Sequence, residues 1–182
     1  MRPTPNPSAF ALWPSLPLRV LIRPRALTEV PMPKKSDHQL AMAAARSALA
    51  DAVEKRRTGD PRSAWAILVT ALKAVPEPDY EQPVTVELLK EMGELQFAKP
   101  DYAKACQVFE DAVRCRGGLG DVRIHLRLGQ CNLELGTRDR AADELARAYM
   151  GGGREAFDGE DPKYFRLVEQ VLKPPAGMDR LP

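Results

Sequence analysis

LLKEMGELQFAKPDYAKACQVFEDAV, residues 88–113, and IHLRLGQCNLELGTRDRAADELARAY, residues 124–149, decide the fold when they are set side by side. Met92-Gly93 in the first stretch answers Leu128-Gly129 in the second. Ala105, Phe109 and Ala112 answer Ala141, Leu145 and Ala148, every pair 36 residues apart. Matches held in one fixed register mark an internal repeat. An earlier copy is TGDPRSAWAILVTALKAVP, residues 58–76, with Gly59 at a turn, Ala64, Leu68 and Ala71 in the small-large-small pattern, and Pro76 at its close. From Ala64 to Ala105 is 41 residues. The surplus falls around Pro76–Pro83, where Pro76, Pro78 and Pro83 predict a loop.

The spacing within each copy is helical, and the physics of the pattern is plain. Two helices joined by three or four residues lie antiparallel at close range only where the facing side chains are small. Large residues such as Phe109 then fill the gaps between layers. Asp101 and Asp139 fall where the second helix of a unit begins, an acid near the positive helix end. Farther on, Asp161 is a good N-cap and Pro162 suits a first turn, so a last helix is expected over 161–173. Its apolar face would be Tyr164, Phe165, Val168, Val171 and Leu172. With a helix near 38–57, the chain is expected to hold seven helices and no strand.

This pattern resembles the tetratricopeptide repeat, a helix-turn-helix of about 34 residues. Gly93, Ala105, Phe109 and Ala112 match the family's positions in one copy, and Gly129, Ala141, Leu145 and Ala148 match them in the next. The resemblance covers roughly residues 45–155, with repeats at about 45–78, 86–119 and 122–155. It implies an all-α helix-turn-helix solenoid of about three repeats, closed by a C-terminal capping helix. The first copy departs from the pattern. A strict register would place Asp51 and Lys55 at apolar positions, at a cost of several kcal/mol for two unpaired charges. Shortening the helix by one residue instead aligns Leu49, Ala52, Val53 and the stem of Arg56.

Composition fits a folded helical body behind an unusual tail. Aromatic residues make up 6% of the 182, which disfavours sheet. Residues 1–33 hold eight of the 17 prolines, too many for regular packing. Residues 1–35 are therefore expected to be a disordered Pro/Arg-rich tail, and 176–182 a short second tail. The apolar run Ala9–Ile22 is broken by Pro14, Pro17 and Arg19, which spoils both a signal peptide and an amphipathic transit peptide. Met32 opens an alternative start, Met-Pro-Lys-Lys-Ser. The tail carries six basic residues and one acid, leaving 21 basic and 24 acidic residues in the body. The basic pI of about 8.5 thus belongs to the tail, and the body loses its main claim to nucleic acid. No run approaches the roughly 18 apolar residues of a membrane span. Three cysteines without paired metal spacing read as reduced structural thiols in a cytoplasm.

Signals of chemistry are weak. The glycine clusters at 117–120 and 151–153 lack the Lys-Ser/Thr of a phosphate loop and read as turns between units. His38 and His125 stand in no recognisable nucleophile motif, so no catalytic residue, metal or cofactor is expected. His125 reads instead as a surface residue between Arg123 and Arg127.

The resemblance implies a protein-binding module whose concave face is lined by the first helix of each pair. Here that face would draw on Arg56, Lys90, Glu94, Phe97, Arg123, Leu126, Arg127, Gln130 and Leu133, with Arg46, Val53, Arg57 and Glu87 at its margins. Leu126, Leu133 and Phe97 would make apolar contacts, rimmed by arginines. Some members of the family seat the C-terminal carboxylate of heat-shock chaperones. Arg123 and Arg127 match the basic pair of that clamp, but Leu49, Val53 and Glu91 replace its other ligands, so the activity is not carried over. What remains is anion binding by Arg123 and Arg127. The expected partner is a protein or peptide. An alternative is a dedicated antagonist or secretion-type chaperone masking one partner, since the sequence also looks like small bacterial tetratricopeptide proteins, some associated with toxin–immunity neighbourhoods.

Overall fold

The computed structural model describes residues 35–174, 176 and 181, so the expectations for the N-terminal tail, its alternative start and most of 176–182 lie outside the described residues. Among the described residues seven α-helices follow one another: α1 Lys35–Arg57, α2 Pro61–Ala74, α3 Pro83–Ala98, α4 Tyr102–Arg114, α5 Val122–Glu134, α6 Arg138–Gly152 and α7 Pro162–Val171. Among the described residues there is no strand. No helix there is long and apolar enough to cross a membrane.

Aspartates start four of the helices. Asp60, Asp101, Asp121 and Asp161 accept hydrogen bonds from the backbone N–H groups of Ser63, Lys104, Ile124 and Lys163, at 3.1, 3.3, 3.1 and 2.8 Å. Each bond satisfies an N–H that the helix itself leaves unpaired. At α6 the solution differs. The Thr137 hydroxyl turns back to the Asn132 carbonyl and side chain, and Asp139 supplies the acid of the first turn.

Packing follows the repeat. α1 lies on α2, α3 on α4 and α5 on α6, and these are the most extensive helix contacts. The seam of each later pair is a glycine against a large side chain. A Cβ added at Gly93 would sit 2.5 Å from the Phe109 ring, and one at Gly129 would sit 2.5 Å from Leu145 Cγ. In both pairs the large residue lies 16 positions after the small one. The first pair has Ala52 and Leu68 at the same separation, both fully buried. Ala52, placed inward by the shortened register of the first helix, is thus the small residue of this seam.

The odd-numbered helices also touch in succession: α1 meets α3, α3 meets α5, and α5 meets α7. The even-numbered helices α2, α4 and α6 make at most marginal contact with one another. One core runs through the first five helices, centred on Leu68, Leu88, Met92, Phe109 and Ile124. A second joins α5 and α6 to α7 through Leu145, Phe157, Phe165 and Val168.

Two local expectations need correction. In α1 the inward stripe is Met42, Ala45 and Ala52, and Val53, one residue round the helix, is 39% exposed. In α7 Val171 is half exposed at the frayed end, while Leu167 is buried in its place. The proline loop contains a 3-10 turn, Asp79–Glu81, and is tied to the next unit by the Arg116 N–H donating to the Tyr80 carbonyl at 2.9 Å.

Gly93→Ala and Gly129→Ala should each destabilise the chain by about 1–3 kcal/mol, the usual effect of overpacking a tight seam. Urea or thermal denaturation measures this. Gly136→Ala is the contrast: its φ is +78°, with nothing near the added Cβ, so any loss there comes from backbone strain alone.

Candidate functional site

α5 explains where the predicted residues go. It is packed by α4 and α6, and touched also by α3, α7 and the segment before α7. Every residue from Ile124 to Asn132 is buried as a result, although the helix carries His, Arg, Gln and Asn. Leu126 is therefore in the second core and offers no surface to a guest. Leu133 is only partly buried but packs against the same core.

Glu94, Phe97, Arg123, Arg127 and Gln130 do come together. Arg127 Nε donates to Glu94 Oε1 at 2.9 Å, and its Nη1 donates to Gln130 Oε1 at 2.6 Å and to both oxygens of Glu160 at 3.2 and 3.1 Å. Gln130 Nε2 donates to Glu160 at 2.9 Å. Arg123 Nε donates to Glu94 at 2.9 Å, and Nη1 reaches Glu160 at 3.4 Å. The Arg127 guanidinium lies 4.3 Å from the centre of the Phe97 ring, which meets Tyr102 edge-on. Arg123, Arg127, Gln130 and Glu134 thus form one stripe along α5, facing Glu94 on α3.

Arg56 and Lys90 stand in neighbouring rungs of the same face. Arg56 donates to both carboxylate oxygens of Glu91. Lys90 donates to Asp121 at 2.7 Å and pairs with Glu87. Beyond Glu160, Lys163 pairs with Glu134 at 2.5 Å and the Tyr164 hydroxyl donates to the same carboxylate at 2.7 Å. Glu160 is the residue that sequence reasoning missed. It lies outside every repeat, and its only signal is the acid-rich run Asp158, Glu160, Asp161 ahead of α7.

The electrostatics follow from this geometry. Burial acts to raise the Glu94 carboxyl, but the hydrogen bonds and charges of Arg127 and then Arg123 outweigh it and hold the group below its ordinary value of 4.5. Burial acts against the Arg127 charge, and Glu94 and Glu160 more than restore it. The Glu134 carboxyl is lowered first by its bond from Lys163 and further by Tyr164.

No protein-family model matches the chain, and no curated protein matches it in sequence.

His125 is not on the open face. It is buried, with Nδ1 2.6 Å from Glu144 and Nε2 2.7 Å from the Leu119 carbonyl, so both ring nitrogens are engaged in joining α6 to the glycine loop. The three cysteines are free and buried. Burial pushes the Cys106 and Cys115 thiols up to about 11, aided by nearby acids, and moves Cys131 upward further still. Among the described residues no group of three or more His, Cys, Asp or Glu is placed to hold a metal ion. On the opposite side, a hollow of about 390 Å³ opens between α4 and α6, lined by Glu110, Leu128, Asp139, Arg140, Asp143 and Glu144.

Two outcomes are expected. Arg127→Ala should cost about 1–3 kcal/mol in denaturant unfolding, because it takes from the partly buried Glu94 and Glu160 their most enclosed cation and leaves them only the exposed Arg123. The second concerns pH. The folded value of Glu94 lies below its unfolded value, so its stabilisation is full above about pH 4.5 and drains away as pH falls through the folded value. Urea midpoints measured from pH 7 to pH 3 should drop on the acid side, and Glu94→Gln should flatten that drop.

Proposed function

We propose that this chain is a tetratricopeptide-like solenoid of three helix pairs and a cap, which binds a peptide or helix of a partner protein along the face of α1, α3 and α5. The observation that carries this reading is the asymmetry of helix contact. The first helices of successive pairs touch, while the second helices splay apart far enough to leave the hollow between α4 and α6. A stack built in that way curves toward its first helices, and a curved stack presents an extended inner surface to a guest chain. The recurrent seam of Gly93 on Phe109 and Gly129 on Leu145 agrees with it, as does α7 closing the second core.

A binding role also suits the side chains better than a catalytic one. Both nitrogens of His125 are occupied, and the thiols are held protonated by burial. The guest would contact charge and the edge of Phe97, since Leu126 is withdrawn into the core.

Photo-crosslinking in the native host tests the reading. A benzophenone side chain placed at Val53 or Glu87 should yield an adduct with one defined protein. The same probe at Thr70 or Gln107, exposed on α2 and α4, should not. Adducts that form equally from all four positions, or only from the second two, would remove the binding face from α1 and α3.

A further inference from the structure

Of the two histidines, His125 is the buried one, and both of its ring nitrogens face acceptors. Nδ1 is 2.6 Å from a carboxylate oxygen of Glu144 on α6. Nε2 is 2.7 Å from the Leu119 carbonyl, in the loop between α4 and α5. A neutral imidazole carries a single N–H and can serve only one of the two. The Leu119 carbonyl has no proton to offer, so Nε2 donates. Nδ1 and Glu144 then share a second proton. An imidazole is a far stronger base than a carboxylate, and Glu144, 24% exposed, keeps contact with water, so that proton belongs on the ring. The geometry thus fits an imidazolium clamped between α6 and the loop.

The other charges near this joint have partners of their own. On α6, Arg147 pairs with Asp143 at 3.0 Å, and Arg140 approaches Glu110 of α4 at 3.8 Å. These side chains border the α4–α6 hollow, which Glu144 and Asp139 also line. Cys106 on α4 keeps its proton, its thiol pushed up by burial to about 11. At the start of α5, Asp121 is bound by Lys90 of α3 at 2.7 Å. Arg123 and Arg127 turn to Glu94 and Glu160, and Lys163 of α7 turns to Glu134. Among the described residues, Glu144 is the one charged side chain hydrogen-bonded to the His125 ring.

Loss of the second proton cannot leave both bonds in place. If Nε2 keeps its proton, the lone pair of Nδ1 meets a carboxylate oxygen at 2.6 Å. If Nδ1 keeps it, the lone pair of Nε2 meets the Leu119 carbonyl. Buried groups opposed in that way move apart or take up water. The loop closes on itself, Gly118 N–H donating to the Cys115 carbonyl and Asp121 N–H to the Gly118 carbonyl. His125 adds its tie to α6. Leu119, 70% exposed, stands at its tip.

We propose that His125 and Glu144 form a proton-operated latch, closed while the ring holds its second proton and opened when that proton leaves, which frees the 117–120 loop from α6. The proposal goes beyond the binding role above and does not depend on it. An unfolded histidine is neutral above about pH 6.5. The latched fold binds the extra proton, so its contribution to stability is present at low pH and drains away as pH rises. That is opposite in sense to Glu94, whose contribution is lost as pH falls.

NMR of the full chain, labelled with nitrogen-15, tests the latch, with His38 as the internal reference. Near pH 7.5 both ring nitrogens of His125 should read as N–H, while His38 reads as a neutral ring. As pH rises, His125 should become neutral, and the amide signals of Gly117, Gly118 and Gly120 should move with the same midpoint. Glu144→Gln should bring that midpoint to lower pH, His125→Gln should abolish the glycine movement, and Asp143→Asn should change either one less. If the variants unfold, the ring and glycine signals of the unaltered chain still decide. A neutral His125 near pH 7.5, a ring that never gives up its second proton, glycine signals that ignore its titration, or a midpoint unmoved by Glu144→Gln overturns the proposal.

Discussion

Distance between helices is the quantity that everything else in this chain obeys. Gly93 and Gly129 let Phe109 and Leu145 press against the backbone of the facing helix, at a separation that any Cβ would prevent. That approach fixes each pair as a rigid unit. With the pairs fixed, α3 and α5 lie close enough for Glu94 to meet Arg123 and Arg127 at 2.9 Å. The segment before α7 sets Glu160 against Arg127 and Gln130. The glycines are thus upstream of the charged network, though none touches it.

The network in turn explains a helix that composition alone misjudges. α5 is one of the more polar helices and the most enclosed. Buried polar groups are tolerated only where partners are found for them. His125 has Glu144 and Leu119; Arg127 has Glu94 and Glu160; Gln130 has Arg127 and Glu160; Asn132 has the Leu128 carbonyl and Thr137. Every partner comes from elsewhere on the chain or from one turn back. Such an interior costs desolvation but admits few alternative arrangements, because shifting α5 by one residue would strand all four side chains at once.

Legibility followed the same division. The helix-pair seams were readable because glycine and a large residue recur at constant spacing, and a steric requirement leaves its mark at fixed positions. The helix starts were readable from single aspartates. Leu126 and His125 were misplaced for one reason: a helix wheel distinguishes two faces, whereas α5 has neighbours on nearly all sides. Glu160 could not be found from periodicity, since it belongs to no repeat and meets Arg127 from 33 positions further along the chain. In α1 the shortened register placed Ala52 inward, where it is buried, but carried Val53 with it, which is exposed.

The unequal spacing of the two helix layers has a mechanical meaning. Along one side the pairs are riveted by Arg56–Glu91, Lys90–Asp121 and Arg123–Glu94; along the other the long Arg140–Glu110 contact, at 3.8 Å, spans the hollow between α4 and α6. A stack with more ion pairs along one edge yields more easily in the direction that spreads the sparser edge than in the direction that tears its rivets. Bending that widens the gap between α4 and α6 should therefore meet less resistance than bending that parts α1, α3 and α5.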